Sequence, residues 1–205
     1  MTRVKICGIT NLEDARLAID AGADAIGFVF AKSPRQISSE TATEIIACLP
    51  PMISTVGVFM DQPLMDVVAT ALSAGVDTVQ LHGMEPADDC QFIPRRIIKR
   101  FDMRENETTE TLRVRMESYR VSAYLLDPGA GSGRTFDWRI ARGLPGPLIV
   151  SGGLTARNVR KAIRLVRPFG VDVCSGVEAE PGRKDSKKVR AFIKAVRDAD
   201  SQLDG

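Results

Sequence analysis

Residues 21–30, Ala21-Gly22-Ala23-Asp24-Ala25-Ile26-Gly27-Phe28-Val29-Phe30 (AGADAIGFVF), place a glycine two residues before a short apolar, β-rich run. Glycine takes the left-handed conformation that stops a helix, and the branched and aromatic residues after it read as a strand. The same phrase returns as Ala74-Gly75-Val76-Asp77 and Phe169-Gly170-Val171-Asp172, about 53 and 95 residues further along in turn. Those intervals are close to two and four lengths of a βα unit of roughly 25 residues. Each copy is therefore expected to close a helix and open a strand.

Working outward from these points, β-rich runs alternate with segments of helical period: RVKIC then 11–21, DAIGFVF then 38–48, ISTVGVFM then 63–74, DTVQL then 85–93. The alternation continues with RIIKRF then 107–118, SAYLLD then a short segment at 137–142, PLIVS then 155–166, and VDVCS then 185–199. Eight strands and eight helices in strict alternation predict a parallel sheet closed into a single-domain (β/α)8 TIM barrel over residues 1–205. A flavodoxin-like or Rossmann sheet needs fewer units, and no G-x-G-x-x-G follows the first strand.

Composition limits the function classes. With 28 basic and 26 acidic residues spread along the chain, nothing favours nucleic acid as a partner. The four cysteines, Cys7, Cys48, Cys90 and Cys174, form no C-x-x-C pair and suit a reducing, cytoplasmic setting. No apolar stretch of signal-peptide or membrane-span length occurs, so an unexported protein with no membrane partner is expected.

In a barrel, chemistry belongs where strands end and βα loops begin. Those places are Cys7-Gly8, Phe30 to Arg35, Met60-Asp61, His82-Gly83, Asp127 to Gly133, Ser151-Gly152-Gly153 and Ser175-Gly176. The turns SGG (151–153) and CSG (174–176) either permit tight βα connections or present backbone N–H groups to a phosphate. Their pairing in the last two units favours phosphate, held around Gly152, Gly153, Ser175 and Gly176. The segment 127–138 (DPGAGSGRTFDW) reads as a flap over the site or as a plain surface loop.

Asp127, following apolar residues at a strand mouth, suits a partly desolvated acid, or a turn cap. His82, the only histidine, is an acid-base candidate or a hydrogen-bonded residue of the rim. Arg35, behind a stiffening proline, could be aimed at a substrate carboxylate or be an ordinary exposed arginine. Cys48, Cys90 and Cys174 read as packing residues. Cys7 alone combines a strand end with an adjacent glycine. Lys5 lies on the same strand face one pleat below Cys7, and Asp172 below Cys174 on the strand that barrel closure brings alongside. Lys5 is therefore expected to point inward, pair with Asp172 and place positive field under Cys7.

Taken in order from residue 5 to 185, KICGIT, GFVF, SPR, VGVF, QLHG, GSGRTFDW, SGGL, SGVE and PGRKD closely resemble the phosphoribosylanthranilate isomerase family of tryptophan biosynthesis. The resemblance implies an Amadori rearrangement of a small phosphorylated aminosugar, N-(5-phosphoribosyl)anthranilate, to 1-(2-carboxyphenylamino)-1-deoxyribulose 5-phosphate. It implies no metal and no organic cofactor, Cys7 as general base, Asp127 as general acid and Arg35 near the anthranilate, in a monomer or a homodimer. Two departures stand out: Cys174 replaces the family's usual serine, and DPGA is a short lead into GSGRTFDW. Another phosphosugar barrel enzyme would more naturally carry opposed aspartates or metal-binding histidines, and a barrel retained only for binding would have no need of both Cys7 and Asp127.

Overall fold

The computed structural model describes residues 1–104, 106–129 and 135–203; of the glycine-rich segment expected to form a flap, residues 130–134 lie outside the described residues. Eight strands close in sequence order into a barrel: β1 (Arg3–Cys7), β2 (Ala25–Val29), β3 (Ser54–Phe59), β4 (Thr78–Leu81), β5 (Arg96–Asp102), β6 (Ala123–Asp127), β7 (Leu148–Val150) and β8 (Gly170–Val173). Every neighbouring pair is parallel, and β1 closes on β8 with Lys5 opposite Asp172 and Ile6 opposite Val173.

Strand alternation divides the apolar residues into two cores. Val4 and Ile6 of β1 pack outward with Ile26, Phe28, Val79 and Val171 against the helices. Inside the barrel, Val56, Ile98, Ala123, Leu125 and Ile149 form a separate cluster. That apolar plug leaves the upper interior to polar side chains, among them Lys5, Gln80, Asp127, Ser151 and Asp172, all buried.

The helices are α1 (Leu12–Asp20), α2 (Ser39–Ile46), α3 (Leu64–Ala74), α4 (Thr109–Glu117), α5 (Val159–Val166) and α6 (Ser186–Ser201). Their starts have local causes: Asn11 caps α1 by accepting from Asp14 N at 2.8 Å, and Asp185 caps α6 by accepting from Lys187 N and Lys188 N. Among the described residues no helix is long and apolar enough to cross a membrane.

Three sequence expectations need correction. The segments at 85–93 and 137–142 form short 3-10 helices, Ala87–Phe92 and Trp138–Ala141, so two of the eight connections lack an α-helix. Pro86 and Pro94 bracket the first, and the residue before a proline is driven out of the helical region, which puts Ile93 in an extended conformation. Gly143, with φ 77°, stops the second. Thirdly, Phe169-Gly170-Val171-Asp172 is not equivalent to the two earlier copies.

Gly22 and Gly75 do take positive φ after α1 and α3, and Asp24 and Asp77 each accept a backbone N–H from the second residue of the preceding strand, Val4 N and Thr55 N, both at 2.8 Å. The chain after α5 instead turns at Arg167 (φ 49°), because Pro168 cannot continue the helix. Gly170 is already within β8, and Asp172 points into the barrel.

Candidate active site

The eight residues singled out in the sequence, Cys7, Arg35, His82, Asp127, Gly152, Gly153, Ser175 and Gly176, all line one cavity of about 460 Å³ at the C-terminal end of the barrel. Lys5 lies beneath it. Its Nζ donates to Asp172 Oδ1 at 2.9 Å, with both side chains about 5% exposed, and Asp172 Oδ2 accepts from Ser151 Oγ at 3.3 Å. Burial is the largest single influence on Lys5 and favours the neutral amine, but Asp172 and, after it, Cys7 together outweigh that effect and hold the ammonium charged.

The space for this arrangement comes from Gly27 on β2. A Cβ there would lie 2.9 Å from Cys7 Sγ, 3.0 Å from Lys5 Cε and 3.1 Å from Lys5 Nζ. The missing side chain thus lets the ammonium rise toward the thiol. Cys7 ends β1 and is buried, and its pKa falls from 9.0 to about 7. Contact with the Cys174 thiol is the largest cause; burial opposes it, and the Lys5 charge adds to the lowering.

Cys174 itself is pushed up, chiefly by Cys7 and then by burial. Its thiol also lies 3.6 Å from Glu178 Oε1, a long sulfur hydrogen bond in which Cys174 donates. Gly8, which follows Cys7, has φ 72°, and a Cβ on it would come within 2.7 Å of Arg35 Cδ and 2.9 Å of Cys174 Sγ. Only glycine allows Arg35 and Cys174 to crowd the first loop in this way.

Arg35 reaches the cavity on a fixed mount. Its Nε and Nη2 donate to Glu178 Oε1 and Oε2 at 2.8 and 2.7 Å, a bidentate pair in which Nη1 takes no part. Lys184 Nζ donates to the same Glu178 Oε1 at 2.9 Å and to the Cys7 carbonyl at 2.6 Å. A two-stranded ribbon after β8, Glu178–Glu180 paired with Arg183–Lys184, carries both residues. Burial would raise the Glu178 pKa, but Arg35 and Lys184 bring it down to about 2.

His82 follows β4, and Gln80 Nε2 donates to its Nδ1 at 3.0 Å, leaving the ring hydrogen on Nε2. Burial is the main cause that lowers its pKa, so the imidazole is neutral at neutral pH. Asp127 ends β6, is buried, and accepts from Gly129 N through Oδ1 at 2.8 Å. It is therefore a turn cap and a cavity carboxyl at once.

The two glycine turns pack directly on each other. A Cβ on Gly176 would lie 1.9 Å from the Leu154 carbonyl oxygen, so no other residue permits this approach. Gly152 and Gly153 both have positive φ, and Asn158 Nδ2 ties the second by donating to Gly153 O at 2.8 Å. The helix after SGG starts only at Val159, with a turn from Thr155, four residues later than its period suggests.

Gly27, Glu178 and Lys184 are the site residues to which the sequence reading gave no role, although all three lie within the quoted motifs. A bidentate arginine inside a barrel mouth needs a carboxylate, and the Glu of SGVE, just past β8, was the one signal for it.

Comparison with known proteins agrees with this geometry. Residues 4–195 match the family model described as N-(5'phosphoribosyl)anthranilate (PRA) isomerase. The chain is 51% identical to an N-(5'-phosphoribosyl)anthranilate isomerase of Pelobacter propionicus over 98% of its own length and 99% of that protein. It is similar to the solved phosphoribosyl anthranilate isomerase of Thermotoga maritima, with a TM-score of 0.88 and 44% identity over 97% of this chain and 100% of that one. A second such structure, in complex with reduced 1-(o-carboxyphenylamino)-1-deoxyribulose 5-phosphate, matches with a TM-score of 0.86 and 43% identity over 97% of this chain and 100% of that one. The chain belongs to the phosphoribosylanthranilate isomerase family.

Proposed function

We propose that this member of the phosphoribosylanthranilate isomerase family, with residues 1–205 as one barrel domain, performs its Amadori rearrangement by acid-base catalysis between Asp127 and Cys7. The substrate is N-(5-phosphoribosyl)anthranilate and the product the carboxyphenylamino-deoxyribulose phosphate of tryptophan biosynthesis. What carries the reading is that a buried carboxyl and a thiol of lowered pKa line one cavity, with an oriented guanidinium and two glycine turns around them.

The phosphate binds at the turns of Gly152, Gly153, Ser175 and Gly176, where short backbone turns present N–H groups. Arg35, clamped by Glu178, meets the anthranilate carboxylate. The substrate so held spans the cavity, and its sugar lies between Cys7 and Asp127. Asp127 gives a proton to the ribose ring oxygen as the anilino nitrogen pushes out the C–O bond to form an iminium. The iminium acidifies the neighbouring C–H, which the Cys7 thiolate removes to give an enamine, and tautomerisation yields the ketose. The thiolate is competent because about half of the Cys7 population is ionised near pH 7. His82, neutral and facing the same space, is a hydrogen-bond donor to the sugar hydroxyls.

Cys7→Ala and Asp127→Asn are each expected to lower kcat by about a hundredfold or more while substrate still binds. Turnover is followed by the appearance of product and binding by calorimetry. Unchanged turnover in either variant rejects the role given to that residue.

A further inference from the structure

Cys7 has a thiol neighbour that the isomerisation does not consume. The β1–β8 register sets Lys5 opposite Asp172 and Ile6 opposite Val173, so one residue further on Cys7 and Cys174 face each other across the same pair of strands. Neighbouring strands lie about 4.8 Å apart, within the Cα separation of about 4.4 to 6.8 Å that a disulfide spans. Both side chains belong to the interior parity and line the cavity, so a small solute entering it meets both. Cys7 is the last residue of β1 and Cys174 the first residue beyond β8, so a bond between their sulfurs joins two strand ends and replaces no hydrogen bond of the barrel ladder. Both are free thiols in this structure.

We propose that Cys7 and Cys174 form a reversible intramolecular disulfide on reaction with a two-electron oxidant of the peroxide class, and that this pair is a modification site of the cavity. The step balances as follows. The Cys7 thiolate attacks one peroxide oxygen, the S–O bond forms as O–O breaks, and the departing hydroxide takes a proton to leave as water. Cys174 then attacks the Cys7 sulfur, S–S forms as S–O breaks, and its proton leaves with the hydroxyl as a second water. Each sulfur gives up one electron and the peroxide gains two.

The surroundings favour this order. Cys7, about half ionised at neutral pH, reacts first, whereas Cys174 keeps its proton mainly because Cys7 is beside it. Oxidation of Cys7 to the neutral sulfenic acid removes that charge. The ammonium of Lys184, 3.9 Å from Cys174 Sγ, acts on it more strongly than the opposing Glu178 carboxylate and then favours the second thiolate, so the first oxidation eases ionisation of the group that resolves it. With serine at 174 the sulfenic acid would have no sulfur partner and would go on to the sulfinic acid, which thiols do not reverse.

The loss of turnover on oxidation rests on the reading of Cys7 as the base; the bond itself does not. The test treats the full chain carrying Cys48→Ser, which removes the exposed cysteine, with hydrogen peroxide, and follows it by intact mass, peptide mapping and turnover. The expected result is the loss of two hydrogens, a cross-linked pair of peptides holding Cys7 and Cys174, and recovery of both thiols and of activity with dithiothreitol. Adding Cys174→Ser should replace the cross-link by sulfinic acid on Cys7 and abolish recovery. Peroxide that leaves both thiols reduced, or oxidises Cys7 in both proteins alike with no cross-link, overturns the proposal. A cross-link in a protein without isomerase activity would count against the functional reading only, and its absence from an active enzyme against the disulfide only.

Discussion

Replacing Lys5 by methionine isolates what ionises the proposed base, Cys7, without touching any group in contact with substrate. The ammonium sits under Cys7 in the gap left by Gly27, and its removal also leaves Asp172 as an unpaired negative charge near the thiol. Both changes disfavour the thiolate, so the Cys7 pKa climbs from about 7 back toward its ordinary 9.0. At pH 7 a thiol of pKa 7 is half ionised and one of pKa 9 only about 1%, so the ceiling on the loss of reactive thiolate is about 50-fold. At pH 9 the same comparison gives about twofold. Contact with Cys174 contributes the larger part of the lowering and survives in the variant, and a less stabilised thiolate is a stronger base, so the observed loss falls below that ceiling. The assay is the pH profile of kcat/KM, whose acid limb should move from near 7 to higher pH, with thiolate absorbance as a direct titration of Cys7. Stripping one partner from a buried ion pair costs about 3–5 kcal/mol, so Lys5→Met/Asp172→Asn, which removes both charges, keeps the test open where the single variant is too unstable. An acid limb that stays at its wild-type position in a folded variant would refute the idea that Lys5 supplies field to Cys7.

Two further outcomes follow from the same geometry. Gly27→Ala puts a methyl 2.9 Å from Cys7 Sγ and 3.0 Å from Lys5 Cε; it should cost about 1–3 kcal/mol in melting experiments and lower kcat more than it raises KM, whereas an unchanged kcat would mean that the glycine serves packing alone. Glu178→Gln removes a carboxylate whose pKa is held near 2 against an ordinary 4.5, a group whose stabilisation is complete above pH 4.5 and is lost as pH falls toward 2. The variant should lose about 3 kcal/mol at pH 7, as breaking a buried ion pair does, show a flatter acid limb of stability over that window, and, with Arg35 unclamped and the mount of Cys7 loosened, raise KM and lower kcat together. Equal acid sensitivity of the two proteins in urea unfolding across pH 2–5 would reject this assignment.

The fold was legible because its signals are local and repeated. A glycine stop, a strand start and an aspartate bracing the edge of the preceding strand recur at Gly22 and Gly75, and a parallel sheet of eight such units has few ways to close. The third apparent copy misled because the letters Phe-Gly-Val-Asp carry no record of phase: Pro168 moved the helix stop three residues upstream, from Gly170 to Arg167, and slid the aspartate from the strand edge into the barrel. The same alternation of faces, applied with barrel closure, nevertheless anticipated the buried Lys5–Asp172 pair.

The rest of the site was hidden for a different reason. Gly27 matters through a side chain it lacks, and no periodicity distinguishes that vacancy from any other strand glycine. Glu178 and Lys184 act through a two-strand ribbon that folds back over β1, so Lys184 grips the Cys7 carbonyl from 177 residues away. One consequence of this wiring is that the thiol and the guanidinium share a mount: Glu178 accepts from Arg35, Lys184 and Cys174, and Lys184 holds the backbone of Cys7. A shift of Arg35 is thus felt at Cys7 through fixed hydrogen bonds, which makes the distance between carboxylate recognition and proton abstraction a property of the ribbon rather than of either side chain. Loss of Glu178 should accordingly disturb the two together, and the double variant Glu178→Gln/Arg35→Lys should fall short of additive in kcat/KM, as contacting residues in one network do.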